Sequence, residues 1–180
     1  ELSFYMVGRS YRGPNTTDIK YTIDGVTTTF ATITPPTDAW NLYSYSIDRT
    51  EPLTNSNNFK LTFDNIEADS DKSNALANVS LIHNGVNYVV NGDFTSPNYN
   101  STYSTINTDF VSYPEQTDVP QENWSGSYVI VYDRDLWDFP ESSDSIILSL
   151  QTSSGYDKGL VEQEILFDPE PEAEPEAWLT

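Results

Sequence analysis

The sequence contains no cysteine and only one histidine, His83, among its 180 residues. Disulfides, thiolate metal sites and cysteine nucleophiles are therefore excluded, and so are metal centres built from several histidines. A Ser-His-Asp triad would depend on His83 alone. No apolar run approaches the ~20 residues needed to span a bilayer, and we expect no membrane insertion.

Positive charge is also scarce in this sequence. Eight Lys and Arg stand against 28 Asp and Glu, which gives a formal net charge of −20 at pH 7. A surface this acidic repels phosphate backbones, so we expect no nucleic-acid partner. The acidic, lysine-poor composition, rich in Thr, Ser, Asn and Tyr, resembles that of secreted surface proteins of bacteria, archaea or viruses. It predicts an extracellular location at a cell surface or appendage.

Period-two alternation of apolar and polar residues dominates the chain, and no segment has a convincing helical period. The predicted strands are 1–9, 19–24, 26–34, 40–48, 58–65, 77–83, 86–91, 128–133, 145–151 and 160–167. Asp24-Gly25 and Asn84-Gly85 separate β-rich runs and predict type I′ hairpins. The chain is long enough for one domain. The pattern predicts an all-β fold, an antiparallel β-sandwich of jelly-roll type.

Two stretches depart from this pattern. Residues 95–127 are polar and interrupted by prolines, a composition typical of functional or poorly ordered loops. The C-terminal segment, 168–180, alternates Pro and Glu before it reaches Trp178 and Leu179. Proline and like-charge repulsion favour an extended acidic tail or connecting strand, of which residues 168–176 span about 25–30 Å.

Two groups of short phrases stand out along the chain. In the second half they are 90–94 (VNGDF), Trp124, 149–151 (SLQ) and 159–165 (GLVEQEI). In the first half they are 2–9 (LSFYMVGR), 40–44 (WNLYS), 59–63 (FKLTF) and 77–81 (ANVSL). Together they resemble the galactose-binding-like jelly-roll domains of secreted carbohydrate-binding modules, plant cell-wall proteins and bacterial anchored surface proteins.

The order of these phrases is rotated relative to the family. The resemblance implies that 1–85 is the C-terminal half of a jelly roll and that 86–167 is its N-terminal half, followed by the tail. Joining 177–180 to 1–6 would restore one family-like strand. Three explanations stay open: a circularly permuted domain, one period of a tandem repeat, or a head-to-tail polymer in which half of one copy completes half of the next.

A sandwich cut in the middle of a strand exposes unpaired backbone groups, and such an edge recruits a strand from elsewhere. Head-to-tail exchange that does not close gives a filament. We therefore expect copies of the chain to be its partners, and docking of 177–180 beside 1–6 of the same chain is the alternative. The predicted assembly residues are Leu2, Phe4, Met6, Trp178 and Leu179, with Arg9 and Arg12 pairing with the acidic tail of a neighbour.

Modification and cation sites are further candidates. Four N-x-Ser/Thr sequons place candidate glycosylation sites at Asn15, Asn78, Asn100 and Asn123. The resemblance implies a structural calcium ion, but Thr95 and Ala77 stand where the family has its two carboxylates. The remaining acidic candidates are Asp64, Glu67, Asp69, Asp71 and Asp93. The alternative is that these residues form a solvated acidic loop. We therefore expect that the protein requires no cofactor, and calcium is the one ion whose binding stays open.

Glycans are the second class of partner that the sequence suggests. Sugar binding needs exposed aromatic rings that stack on pyranose faces. The stacking candidates are Tyr99, Tyr103, Tyr113, Trp124 and Trp137, with core or edge packing as the alternative for the two tryptophans. Asp133 and Asp135 fall on one strand face without an opposing acid catalyst, and we expect no enzyme activity.

These observations favour a non-enzymatic extracellular structural protein. It would be a subunit or repeat of a self-assembling surface filament, joined by strand or half-domain complementation. The alternative is a carbohydrate-binding module of a cell-surface system. A structural subunit self-associates without added sugar, whereas a binding module stays monomeric and is retained on polysaccharide.

Overall fold

The computed structural model describes residues 1–10, 13–47, 59–67, 72–95, 110–113, 123–131, 140, 147–150 and 159–167. The strands are β1 (Leu2–Gly8), β2 (Thr17–Ile23), β3 (Val26–Ile33), β4 (Asn41–Tyr45), β5 (Phe59–Asn65), β6 (Asn74–His83), β7 (Val86–Asn87), β8 (Phe110–Tyr113), β9 (Ser125–Val131), β10 (Ile147–Ser149) and β11 (Leu160–Ile165). None of these residues belongs to a helix long and apolar enough to cross a membrane.

The strands form two antiparallel sheets that pack face to face, which confirms the predicted all-β sandwich. One sheet has the order β3-β2-β5-β11, and the other has the order β10-β6-β1-β4. Strand β9 belongs to both, because its first residues pair with β11 and its last residues pair with β10. Strand β8 also pairs with β9, and the short β7 pairs with β6. Strand β9 therefore joins the two sheets along one side of the sandwich.

Alternation along each strand directs one set of side chains between the sheets. In β1, Leu2, Phe4 and Met6 are fully buried, whereas Tyr5 between them is exposed. The ring of Phe4 meets that of Phe63 from the opposite sheet edge-on, with centroids 5.0 Å apart. A fully buried side chain of this kind contributes about 1.5–3 kcal/mol through removal from water. The core is thus built by the same period-two pattern that predicts the strands.

Both predicted hairpins are confirmed. Asp24 and Gly25 have φ values of 49° and 82°, and Asn84 and Gly85 have values of 49° and 79°. Two consecutive left-handed residues define the type I′ turn, which Asn-Gly and Asp-Gly tolerate best. The two turns fix the registers of β2 with β3 and of β6 with β7.

The two predicted halves of the chain form one sandwich. Strand β5 from the first half pairs with β11 from the second, from Phe59–Ile165 to Asp64–Leu160. Strand β6 from the first half likewise pairs with β10 from the second. Each sheet therefore contains strands from both halves, and the halves complete each other within one chain.

A buried polar cluster ties together one end of the sandwich. The side chain of Asn74 accepts from the backbone N–H of Asn15 at 2.9 Å and donates to the Asn15 carbonyl at 2.7 Å. It also donates to the Thr17 hydroxyl at 2.6 Å, and that hydroxyl donates to Asn65. All four residues are buried. Buried polar groups are tolerated only when paired, so this cluster fixes how the loop before β2 meets β5 and β6.

Most strand boundaries differ from the prediction by one to four residues, and β8 is a strand that the prediction did not contain. Strand β8 falls inside 95–127, where prolines predicted no regular pairing, because β9 offers it a free edge. The predicted strand 86–91 ends at Asn87. Beyond it, the Gln163 side chain accepts from the Val90 N–H at 2.9 Å and donates to the Val90 carbonyl at 2.8 Å. This buried amide takes the place that a neighbouring strand would occupy.

Candidate functional site

Strand β1, the predicted acceptor edge, is an interior strand. It pairs with β4 from Leu2–Tyr45 to Met6–Asn41 and with β6 on its other side. Its backbone therefore has a partner on both sides within the same chain, and Leu2, Phe4 and Met6 lie in the core. The expectation that these side chains form an assembly contact is corrected, because β4 covers the edge that the sequence left open.

The free edges lie elsewhere. Strands β3 and β4 end the strand order, and no described strand runs along the outer edge of either. They lie on the same side of the sandwich, opposite β9, because the rings of Phe30 from β3 and Tyr45 from β4 meet with centroids 5.6 Å apart. We call this pair of edges the open side.

Strand β3 is the longer and more exposed edge of the open side. Val26 is 69% exposed, and Thr27, Thr28 and Thr29 are exposed after it. No charged residue occurs from 25 to 37. Ile19 pairs with Ala31 whereas Lys20 pairs with Thr29, so a β-bulge at Phe30 interrupts the ladder with β2. The bulge turns the Phe30 ring towards Tyr21, at 5.9 Å.

A second surface feature is a polar groove beside β6. A register shift against β1 and a φ of 50° at Asn78 mark a bulge in β6. The N–H of Val79 next to this bulge donates to the Gly92 carbonyl at 2.9 Å, which brings 91–93 alongside the strand. These segments and Asn87 line an open depression with a volume of about 460 Å³. Its polar side chains are those of Asn78, Ser80, Asn87, Asn91 and Asp93, and we call it the amide groove.

The walls of the amide groove are held by hydrogen bonds. The side-chain amide oxygen of Asn87 accepts from the backbone N–H groups of Leu81 and Val89 at 3.0 and 3.2 Å. The hydroxyls of Ser80 and Ser3 are 2.8 Å apart, and Asp93 accepts from the Thr95 hydroxyl at 3.0 Å. Amides and hydroxyls both donate and accept hydrogen bonds. The groove therefore suits a neutral, hydroxyl-bearing ligand better than an ion.

Several residues that carry the family resemblance meet in one structural cluster. The indole N–H of Trp124 donates to the Asn91 carbonyl at 2.9 Å, and its ring lies 5.4 Å from that of Phe94. Gly92 approaches Val79 so closely that a side chain has no room. Trp124 is fully buried, so its ring has no face open to a sugar. It packs in the core, which is the alternative that the sequence analysis gave to sugar stacking.

Most of the other candidates for sugar stacking lie outside the described residues. Tyr99, Tyr103 and Trp137 are not among the described residues, and of Tyr113 the structure describes its place in β8. The aromatic residue that the sequence reasoning missed is Tyr5, which is 37% exposed on the outer face of β1 opposite Leu42. Alternation around Leu2, Phe4 and Met6 was the signal that could have found it.

The sequons occupy different environments. The Asn15 side-chain amide is buried and donates to the Glu67 carbonyl at 2.9 Å, so this nitrogen is not open to a glycan in the folded chain. Asn78 and Asn123 are exposed and have φ values of 50° and 66°. Asn100 lies outside the described residues. Asn78 lines the amide groove, so a glycan there would cover it.

The structure separates the acidic cation candidates. Asp64 on β5 is 2.7 Å from the Lys20 ammonium, which is also 3.4 Å from Asp18. Glu67 pairs with Lys72 at 3.1 Å, and Asp93 lies in the amide groove. Asp69 and Asp71 are not described. Within the described part of the chain, no three acidic or histidine side chains come close enough to hold a metal ion.

The remaining assembly residues are placed only in part. The backbone N–H of Arg9 donates to the Ser73 carbonyl at 3.0 Å, at the end of the sandwich that holds the buried polar cluster. Arg12, Trp178 and Leu179 lie outside the described residues. Glu1 and Phe167 lie at the opposite end of the sandwich. The backbone N–H of Ile82 donates to the Glu1 carbonyl, and the ring of the neighbouring His83 lies 6.1 Å from that of Phe167.

The Lys20 ion pairs predict an alkaline loss of stability. Burial alone lowers the pKa of Lys20, but the hydrogen bond and negative charge of Asp64, helped by Asp18, raise it above the ordinary 10.5. A raised folded pKa adds stability that is complete below pH 10.5 and is lost as the pH rises through the folded value. Lys20→Met should therefore cost most near neutral pH, and its cost should shrink above about pH 10.5.

Urea unfolding of both chains between about pH 7 and 11 measures this difference. Burial and Tyr43 also raise the pKa of Tyr45, which acts in the same range, so only the difference between variant and wild type isolates Lys20. Lys72→Met, at a pair whose two side chains are 40% and 45% exposed, is the control with equal charge change. A Lys20→Met cost that does not vary with pH would contradict the assignment.

No protein-family model matches the sequence, and no curated protein and no solved structure is found to match it. The resemblance to galactose-binding-like jelly rolls therefore stays a prediction that rests on the quoted residues and on the β-sandwich, and no family is assigned.

Proposed function

We propose that this chain is a non-enzymatic, extracellular structural protein whose copies assemble with one another at a surface. The observation that carries the proposal is the open side, where two strand edges lie next to each other without a described neighbour. A strand edge offers a row of N–H and C=O groups to another chain. The acidic, Thr/Ser/Asn-rich composition supports the extracellular location.

The route of assembly differs from the one that the sequence suggested. Because β5 pairs with β11 and β6 pairs with β10 within one chain, the described strands need no half from a neighbour. In this proposal, copies of the chain associate by pairing strand edges at the open side, and not by exchanging strands at β1. The acidic tail 168–180 lies beyond Phe167 and stays a candidate for a further contact.

Light scattering and negative-stain imaging of the purified chain test this proposal. We expect association without added sugar, rising with protein concentration. It should strengthen between about 20 mM and 500 mM salt, because salt screens the repulsion between copies that each carry −20. A monomer of 20.3 kDa at every concentration and salt level would overturn the proposal.

A second candidate function, binding of a neutral saccharide, is favoured by the amide groove. Its lining offers amide and hydroxyl groups with one carboxylate, Asp93, which matches the donors and acceptors of a sugar. The same experiment separates the two functions. A chain that stays monomeric and is retained on polysaccharide supports the groove, whereas self-association without sugar supports the structural role.

A further inference from the structure

The edge strand β3 lacks most of the features that protect such edges. Natural edges carry Lys, Pro or inward-pointing charges, or they are short. Strand β3 has eight residues, VTTTFATI, without charge or proline. Its Val, Ile and Thr residues have high β-propensity. Within the strand itself, the one protective feature is the bulge at Phe30, which leaves Val26–Thr29 as a regular exposed segment.

The charge distribution indicates which partner this edge accepts. Two copies that each carry −20 repel one another wherever acidic residues meet. From 25 to 37 there is no charge of either sign, so β3 can approach its own counterpart with the least repulsion. The other edge of the open side, β4, is shorter at five residues and lies between Asp38 and Asp48 in the sequence.

The topology decides the symmetry of the contact. The two ends of the main strand order, β3 and β4, both lie on the open side, whereas β8, which has β9 as its one described partner, lies on the opposite side. Edge-to-edge contact through one side of each molecule is isologous, with the same patch on both copies, and it closes as a pair. A filament would need a second contact elsewhere.

We propose that β3 pairs antiparallel with β3 of a second copy about a two-fold axis, and that this dimer is the building block of the assembly. The inference rests on the proposed function, since it names the contact through which the copies meet. The pairing is centred on Thr28, so that Thr28 lies opposite its own counterpart and Thr27 lies opposite Thr29 of the second copy. Cross-strand Thr–Thr pairs are favourable in sheets.

The matched variants Thr28→Asp and Ser44→Asp test the proposal. Each adds one negative charge to an exposed position, Thr28 on β3 and Ser44 on β4. We expect Thr28→Asp to raise the dimer dissociation constant at least about tenfold, because two like charges then face each other across the axis. Ser44→Asp should change it less than about threefold. Analytical ultracentrifugation measures both, and circular dichroism checks that both variants are folded.

A second measurement needs no variant. Amide hydrogen exchange within Val26–Thr29 should slow as protein concentration rises, whereas exchange in β4 should not change. Association that responds to Ser44→Asp and not to Thr28→Asp, with β4 amides protected, would overturn the β3 pairing and leave the proposed function standing. A wild-type chain that is monomeric throughout would overturn both.

Discussion

Replacement of Asn74 by alanine should lower the free energy of unfolding by about 3–5 kcal/mol. The Asn74 side chain satisfies the N–H and the carbonyl of Asn15 and donates to the Thr17 hydroxyl. All three partners are buried. A buried polar group left without a partner costs about 1–3 kcal/mol, so the losses add to a large share of the ~5–15 kcal/mol of a typical domain.

Urea unfolding followed by tryptophan fluorescence or circular dichroism measures this change. Asn41→Ala is the control, because Asn41 is an exposed asparagine on the edge strand β4. Its effect should stay within about 0.5 kcal/mol. Equal stabilities for the two variants would show that the buried polar cluster does not hold this end of the sandwich.

The second large effect is expected from Gly92→Ala. A Cβ at this position would lie well inside contact distance of the Val79 carbonyl oxygen and close to the Val89 side chain. Since the obstacle is backbone, the segment must move away from β6. The hydrogen bond from the Val79 N–H to the Gly92 carbonyl and that from the Trp124 indole to the Asn91 carbonyl would then be lost or weakened. We expect a loss of at least about 3 kcal/mol, or no folded protein.

Gly25→Ala separates steric clash from backbone strain. Gly25 has a φ of 82°, but nothing lies within 4 Å of its added Cβ. The variant has only the cost of a left-handed alanine, about 1–2 kcal/mol. Thermal unfolding of the two variants side by side makes the comparison. If Gly92→Ala were as stable as Gly25→Ala, the close packing of 91–93 on β6 would be wrong.

Residues quoted for the family resemblance have structural roles in this chain. Gly92 allows a close approach, Trp124 and Gln163 bind the backbone of 90–91, and Phe94 packs on Trp124. Each of these contacts joins two parts of the same chain. A resemblance carried by such residues is therefore informative about a sandwich and its local packing, and much less informative about what the sandwich binds.

The positions of the strands within the sheets, central or at an edge, could not be predicted from the sequence. Alternation in β1 marks Leu2, Phe4 and Met6 as inward-facing, and they are buried. The same alternation does not reveal that β4 covers one side of β1 while β3 has an uncovered side. The assembly contact was therefore expected at β1, on a strand that has two partners in its own chain.

The amino-acid sequence by itself determined the strand pattern, the two type I′ hairpins, the acidic character of the molecule and the uncharged stretch from 25 to 37, because these depend on neighbours along the chain. Only the tertiary structure decided the pairing of distant strands, the open side, the amide groove and the buried cluster around Asn74. Each of these brings together residues far apart in sequence, such as Asn15 with Asn74 and Val90 with Gln163. Hydrogen bonds of this kind form only once the sheets have packed, since the burial of apolar side chains then leaves polar groups no partner but one another.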